Sequence, residues 1–225
     1  RREDGELKVD DYTTTFFRNR AFVEGGKLSY KDDLFNGGVI WRIANGWSAY
    51  ASYSEGFTLP NIGIPLRNIN RPGQSVAGIL DLQAIIFDNR EVGFNWRGGA
   101  VTLSGSYYES ESDLGASLSV DPVTQDFVLN RAPVEIEGLE FTADYRISDA
   151  WRISALYSHT RGKTTPASNP TGPLSLDLGV ANISPDKLSG SVQWGFMPGG
   201  TVVLGVTSLL GRDINQGTTA AESTY

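Results

Sequence analysis

The chain has 225 residues, of which 40% are hydrophobic and 20% are charged, and its formal net charge is −7. Ten Phe, nine Tyr and five Trp exclude a disordered polypeptide, because so many aromatic rings require burial. The negative charge argues against a nucleic-acid partner. With no Cys and only one His, His159, the sequence predicts no metal site, no cofactor and no conventional catalytic triad, and therefore no enzyme.

The chain begins with Arg1 and Arg2 and shows neither an initiator Met nor a signal peptide. We expect it to be a section of a longer or processed polypeptide.

Eight segments alternate between apolar and polar residues, which is the pattern of a β-strand with one apolar face. The segment from Leu139 to Ile147 is the clearest, with apolar residues at the odd positions and polar residues at the even ones. In chain order, the eight segments begin at Val39, Trp47, Val92, Val101, Leu139, Trp151, Leu188 and Val202.

Very short and very long connections alternate between these strands. The short ones are Asn45-Gly46, Gly98-Gly99, Ser148-Asp149-Ala150 and Pro198-Gly199-Gly200, spaced roughly 50 residues apart, and their residues suit tight hairpin turns. The long ones span 57–88, 113–133 and 163–186 and are expected to be loops. Short turns on one side and long loops on the other are typical of an antiparallel barrel in an outer membrane.

The strands are also long enough for a membrane. The segments 47–57, 134–147, 151–162 and 187–197 hold at least eleven residues each, whereas a tilted transmembrane strand needs roughly 9–11. All five Trp lie beside a tight turn on the apolar face, where an indole ring favours the headgroup level. The predicted membrane-interface girdle consists of Trp41, Trp47, Trp96, Trp151 and Trp194.

Other architectures fit parts of this pattern. A soluble sandwich could place Trp near its strand ends, and a kelch-like β-propeller also repeats at about 50 residues, although its blades need four short strands per repeat. A complete eight-stranded outer-membrane barrel is a further alternative, since eight strands is the small end of the range.

Four segments resemble successive barrel strands of TonB-dependent outer-membrane receptors, which import ferric siderophores and similar nutrients. They read SYSEGFTLPNIG (52–63), DNREVGFNWRGG (88–99), EIEGLEFTADYRISDAW (135–151) and ISPDKLSGSVQW (183–194). The resemblance covers about 27–212 and implies an all-β fold: about eight antiparallel strands of a 22-stranded barrel, with short periplasmic turns and long extracellular loops.

The resemblance also implies boundaries, a location and partners. Residues 1–33 would be an irregular, extracellular loop-like lead, 34–212 a partial barrel and 213–225 a loop-like tail. The protein would lie in the outer membrane of a Gram-negative bacterium, contact its lipid and bind a ferric siderophore or similar chelate. It would meet the TonB complex through a segment that, with the plug domain, lies outside this chain.

Candidate site residues follow from the same interpretation. Polar residues on the strands would face the lumen, because ionisable groups avoid lipid. These are Arg42, Glu91, Asn95, Arg97, Glu140, Asp144, Arg146 and Gln193. Guanidinium groups pair with carboxylates and stack on rings, so the candidates for ligand contact are the loop residues Arg67, Arg71 and Arg131 and, near a loop mouth, Tyr108. His159 and the paired acids Glu109/Glu111 and Glu135/Glu137 are interpreted as loop-proximal, solvated side chains.

Overall fold

The architecture is that of one large antiparallel sheet with small additions at one end. A computed structural model describes residues 1–14, 20–59, 63–67, 69, 73, 75–76, 84–120, 127–166, 169, 171–179, 181–215 and 219–221. The strands and the helix are β1 (Arg2–Val9), β2 (Tyr12–Thr13), β3 (Phe22–Val23), β4 (Gly26–Asp33), β5 (Asn36–Arg42), β6 (Trp47–Thr58), α1 (Gly63–Arg67), β7 (Ile85–Gly98), β8 (Val101–Val120), β9 (Phe127–Arg146), β10 (Trp151–Thr164), β11 (Leu176–Asp177), β12 (Lys187–Met197), β13 (Gly200–Leu209), β14 (Asp213–Asn215) and β15 (Thr219–Ala221).

The main sheet is a meander in which strands pair with their neighbours in the sequence. Its order is β13-β12-β10-β9-β8-β7-β6-β5, with the short β11 paired to β10. Each of the eight predicted strands begins within one of these eight strands, which confirms their number and order. No helix in the described ranges is both long and apolar enough to cross a membrane.

The tight turns lie where the sequence predicts them. Asn45 and Gly46 have φ angles of 52° and 82°, so both accept the left-handed conformation that a two-residue hairpin turn requires. The Arg97 N–H donates a hydrogen bond to the Gly46 carbonyl at 3.0 Å, which fixes this turn against the end of β7. We call the end of the strands that carries these tight turns the turn end, and the opposite end of the strands the loop end.

The register keeps one face apolar across the whole sheet. Trp47, Trp96, Leu103, Ala143 and Ala155 lie in one row of paired residues on this apolar face. The next row along the strands belongs to the polar face and is made of Ser48, Asn95, Ser104, Thr142 and Leu156.

The apolar face is exposed in this chain. Leu204 and Val206 are 72% and 70% exposed, and no second sheet covers that face within the described residues. A sandwich buries such a face, so the arrangement contradicts the sandwich alternative and fits a wall that faces lipid.

The structure also contradicts the other two alternatives, the β-propeller and the closed eight-stranded barrel. Eight long strands in one continuous sheet do not divide into four-stranded blades, which contradicts the propeller. Strands β5 and β13 form no ladder with each other in the part of the chain that the structure describes, so the sheet is open rather than a closed eight-stranded barrel.

Three predicted irregular segments are more regular than the sequence analysis expects. The predicted loop 113–133 is mostly a continuation of the β8–β9 hairpin, which passes a bulge between Ser112 and Gly115 and pairs as far as Val120 and Phe127. The lead 1–33 contains the β1–β4 hairpin, and the tail 213–225 contains β14 paired with β15. The backbone ladders of these segments continue beyond the apolar band, where no apolar face toward lipid is needed.

Candidate functional site

The loop end carries a hydrophobic cluster separate from the sheet. Val23 and Val76 are fully buried, and Ile69 is nearly so. The Val76 N–H donates to the Glu24 carbonyl at 3.2 Å, which joins the segment around α1 to the lead. We call the described residues of 1–33 and 63–76 the cap.

Aromatic side chains join the two segments of the cap to each other and join the cap to the sheet. The Tyr12 hydroxyl donates to the Leu66 carbonyl at 2.8 Å, and burial raises the pKa of Tyr12, so the phenol remains a donor at neutral pH. Tyr30 on β4 meets Phe57 on β6 edge to face, with ring centroids 6.2 Å apart. The cap therefore sits at the loop end of β6.

A second loop folds over the polar face at the same end. Leu178 and Ile183, only 5% and 4% exposed, belong to the loop between β10 and β12 and pack against Val134 and Ile136 of β9. Because Val134 and Ile136 occupy the even positions that face the polar side of β9, the loop lies across that side.

Polar contacts also hold this loop where the chain approaches β12. Asp186 accepts a hydrogen bond from the Tyr157 hydroxyl at 3.1 Å and lies 2.8 Å from His159 Nδ1. Arg212 Nη2 donates to the Ile183 carbonyl at 2.8 Å. The partner of His159 is not evident from the sequence, because Asp186 is distant along the chain and approaches only through the pairing of β10 with β12.

The predicted ligand-contact residues have different surroundings. Arg67 is exposed on α1, whereas Arg131 lies within β9 rather than in a loop, with Nε and Nη1 buried and Nη2 3.4 Å from the Ala84 carbonyl. Tyr108 lies in the sheet rather than at a loop mouth, with its hydroxyl 2.9 Å from Thr160 Oγ1 and its ring over Gly138. Arg71 lies outside the described residues. Ligand contact by these four residues stays a prediction.

The predicted lumen-facing residues share one face. The register places all eight on the polar face, namely Arg42, Glu91, Asn95, Arg97, Glu140, Asp144, Arg146 and Gln193. Short hydrogen bonds connect this face across strands, from Tyr50 to Glu91 at 2.6 Å and from Ser154 to Asp144 at 2.6 Å. That these residues line a lumen stays a prediction.

Three of the four paired acids near the loop end, Glu109, Glu111 and Glu137, form ion pairs. Arg90 reaches Glu109 at 2.9 Å and Glu111 at 3.0 Å, while Arg161 pairs with Glu137. These ion pairs lie on the same side of the sheet as the apolar face, toward the loop end. In the described part of the chain, no three His, Asp or Glu side chains come together as a metal-ion site.

The tryptophans form cross-strand pairs at the turn end. Trp47 lies opposite Trp96 with ring centroids 5.8 Å apart, and Trp151 stacks on Trp194 at 5.5 Å. The Trp96 Nε1–H donates to the Asn45 carbonyl at 3.2 Å. Rings with one polar atom near the turns suit a headgroup layer. The membrane-interface role of these rings, and of Trp41, remains a prediction.

Spin labels at two adjacent residues test which face meets lipid. In the full-length parent, a nitroxide at Trp151→Cys is expected to be more accessible to oxygen than to a water-soluble nickel complex. A nitroxide at Arg152→Cys, on the other face, is expected to show the reverse order. The same order at both positions, measured by power-saturation EPR, would contradict the assignment of the faces.

Comparison with known proteins decides the family. The sequence model described as "TonB dependent receptor-like, beta-barrel" matches residues 4–224, almost the whole chain. The chain belongs to this TonB-dependent receptor family. The open sheet is therefore a section of a receptor barrel.

Relatives and solved structures agree with this assignment. The Rhizobactin receptor of Rhizobium meliloti (strain 1021) is 24% identical over 181 residues, which are 76% of this chain and 23% of that protein. The chain therefore spans less than a quarter of that curated relative. The fold is similar to the apoprotein form of the FrpB iron transporter from Neisseria meningitidis, with a TM-score of 0.65, 15% identity and coverage of 100% of this chain and 34% of the other. It is also similar to the ferric-catecholate import receptor Fiu from E. coli K12, with a TM-score of 0.64, 12% identity and coverage of 100% and 33%.

Proposed function

We propose that this chain forms part of the wall and extracellular surface of a receptor that imports a ferric siderophore or similar metal chelate across the outer membrane of a Gram-negative bacterium. The observation that carries the proposal is the unbroken eight-strand ladder with one apolar face in a chain of the TonB-dependent receptor family. The related Rhizobactin receptor supports a chelate as cargo, and Fiu is a receptor for ferric catecholates.

The arrangement of the two faces suggests a separate role for the cap, the folded loop and each face of the sheet. The cap and the folded loop are positioned to meet the chelate first, and the polar face lines its route, while the apolar face contacts lipid. Energy would come from the TonB complex through parts of the receptor outside this chain. The role of the section is to bind and guide cargo, and it makes or breaks no covalent bond.

Uptake of radiolabelled iron tests this proposal. The full-length parent would be expressed in a strain that lacks its own siderophores and siderophore receptors, and supplied with ferric rhizobactin, a ferric trihydroxamate, a ferric tricatecholate or ferric citrate. At least one chelate is expected to enter about tenfold faster than in cells without the receptor.

Two controls separate this result from leakage. A strain lacking TonB, and a receptor lacking residues 60–84, are both expected to lose the uptake. Iron uptake that persists without TonB, or no uptake from any of the four chelates, would contradict the proposed function.

A further inference from the structure

A groove crosses the apolar face of the sheet on the side nearer to the loop end. It has a volume of about 700 Å³, extends from β6 to β10 and is lined almost entirely by apolar atoms. Its walls include Phe94, Tyr107, Leu139 and Phe141, which the register places on the apolar face. The volume lies within the range of ligand pockets in proteins, roughly 300–1,000 Å³.

Gly105 accounts for the depth of this groove. It lies between Phe94 and Phe141 in one row of paired residues. A Cβ added at Gly105 would lie only 2.6 Å from Cε1 of Phe94, so the Phe94 ring occupies the space of the missing side chain. The ring therefore lies against the sheet and forms a low floor, and a larger residue at position 105 would lift it into the groove.

A row of charged residues borders the groove on its loop-end side. The row is made of Arg90 on β7, Glu109 on β8, Glu137 on β9 and Arg161 on β10. It lies two residues beyond the row that holds Tyr107 and Leu139, which is roughly 7 Å along the strands. A hydrocarbon chain in the groove would therefore place its headgroup at the charged row.

The two arginines of this row retain donors for a further acceptor. Arg90 contacts Glu109 at 2.9 Å and Glu111 at 3.0 Å through Nη1, and its side chain is 53% exposed. Arg161 contacts Glu137 through Nε, and its side chain is 60% exposed. Because a guanidinium group carries five N–H donors, each arginine can also bind phosphate oxygens, which match its fork. The glutamates hold the two guanidinium groups at the border of the groove.

We propose that this groove and its two arginines form a binding site for lipid A, with one acyl chain in the groove and its phosphates at Arg90 and Arg161. Lipid is the occupant because the groove lies within the face that meets the membrane. The arginines lie three strands apart, about 14 Å at the usual strand spacing, and the two phosphates of lipid A lie at opposite ends of a disaccharide. A lipid with a single phosphate reaches only one of them. The location of the loop end in the outer leaflet, where lipid A is found, rests on the proposed function.

Native mass spectrometry of the delipidated full-length parent in detergent tests the site. The probes are hexa-acylated lipid A with two phosphates and phosphatidylethanolamine, and the parent is expected to bind lipid A about tenfold more tightly. Gly105→Val should weaken lipid A binding about tenfold, because the lifted Phe94 ring displaces about two methylene groups of the chain. Arg90→Gln/Arg161→Gln should remove most of the preference for lipid A, because it removes the charge-assisted hydrogen bonds to phosphate.

Two matched variants distinguish a site from general contact with lipid. Gly190→Val adds the same side chain on the same face outside the groove, where the nearest atom lies 3.8 Å from an added Cβ. Arg152→Gln/Lys187→Gln removes two charges from the polar face. Both are expected to bind lipid A as the parent does, and gel mobility of the folded barrel would verify every variant.

Either of two results would overturn the proposal. One is lipid A binding that is the same in the parent, in Gly105→Val and in Arg90→Gln/Arg161→Gln. The other is a parent that binds phosphatidylethanolamine as tightly as lipid A. The measurement needs no transport, so lipid A binding without iron uptake would contradict the proposed function alone.

Discussion

Gly46→Ala is expected to destabilise the barrel by about 3 kcal/mol or more. A Cβ at this position would lie 1.8 Å from the Arg97 carbonyl oxygen, and the residue also has a φ of 82°. The left-handed conformation costs a residue with a side chain roughly 1–2 kcal/mol, and the forced separation of the turn from β7 adds to it. The same separation breaks the hydrogen bond from Arg97 to Gly46.

Gly199→Ala is the matched control for this effect. Gly199 has nearly the same φ, 79°, in the tight turn between β12 and β13, but nothing lies within 4 Å of its added Cβ. It should therefore lose only the conformational part, about 1–2 kcal/mol. The measurement is the temperature at which the full-length protein, applied to a gel without boiling, loses the mobility of the folded barrel. Equal shifts for the two variants would contradict the close packing of Gly46 on β7.

Val23→Asp is expected to abolish chelate binding at the cell surface while leaving the barrel inserted. Val23 is fully buried in the cap with Val76 and Ile69, and a carboxylate there would remain ionised only at a cost of several kcal/mol. The cap has its own hydrophobic cluster at the loop end, away from the ladders of the long strands. Its loss should therefore leave the wall intact.

Phe22→Asp supplies the control, because Phe22 precedes Val23 in the same short strand and is 57% exposed. It should retain the binding of the parent within about twofold, since a surface substitution changes stability little. Surface binding of radiolabelled chelate and gel mobility of the folded barrel would be measured together. Loss of both binding and folding in Val23→Asp would show that the cap and the wall are not separate units.

The long strands are predictable because lipid and water impose alternation on them. Where one face meets lipid, every second residue must be apolar, and Asn45-Gly46 shows the hairpin turn directly. The strand segments around Phe94, Phe141 and Val192 follow this rule, and the structure confirms the eight strands.

The extensions beyond the membrane are not predictable in this way. Around Ser110 and Ser112 both faces of β8 are polar, which resembles a loop, yet the ladder continues past the bulge between Ser112 and Gly115. In the lead, charged residues such as Lys27 and Glu6 pair across β4 and β1 at 3.0 Å. Backbone pairing with a polar surface on both faces carries no apolar period that sequence analysis can detect.

The contacts of the candidate site residues are likewise only partly predictable from the sequence. The face of each strand residue follows from parity, so Asp144 and Gln193 are placed correctly relative to the tryptophans. The partners of Arg131, Tyr108 and His159 depend on which strands adjoin and on how loops return, and neither is encoded within a short segment.

Each long strand pairs with its neighbours in the sequence, and this pairing determines how the wall of such a barrel can gain or lose strands. A hairpin added between two others contributes two strands, so it preserves which residues point to lipid and which point inward. Duplication or loss of a unit of about 50 residues changes the circumference of the barrel without exchanging its two surfaces. Nearest-neighbour pairing also lets the wall assemble one hairpin at a time, since each hairpin closes only a tight turn before it pairs with the next.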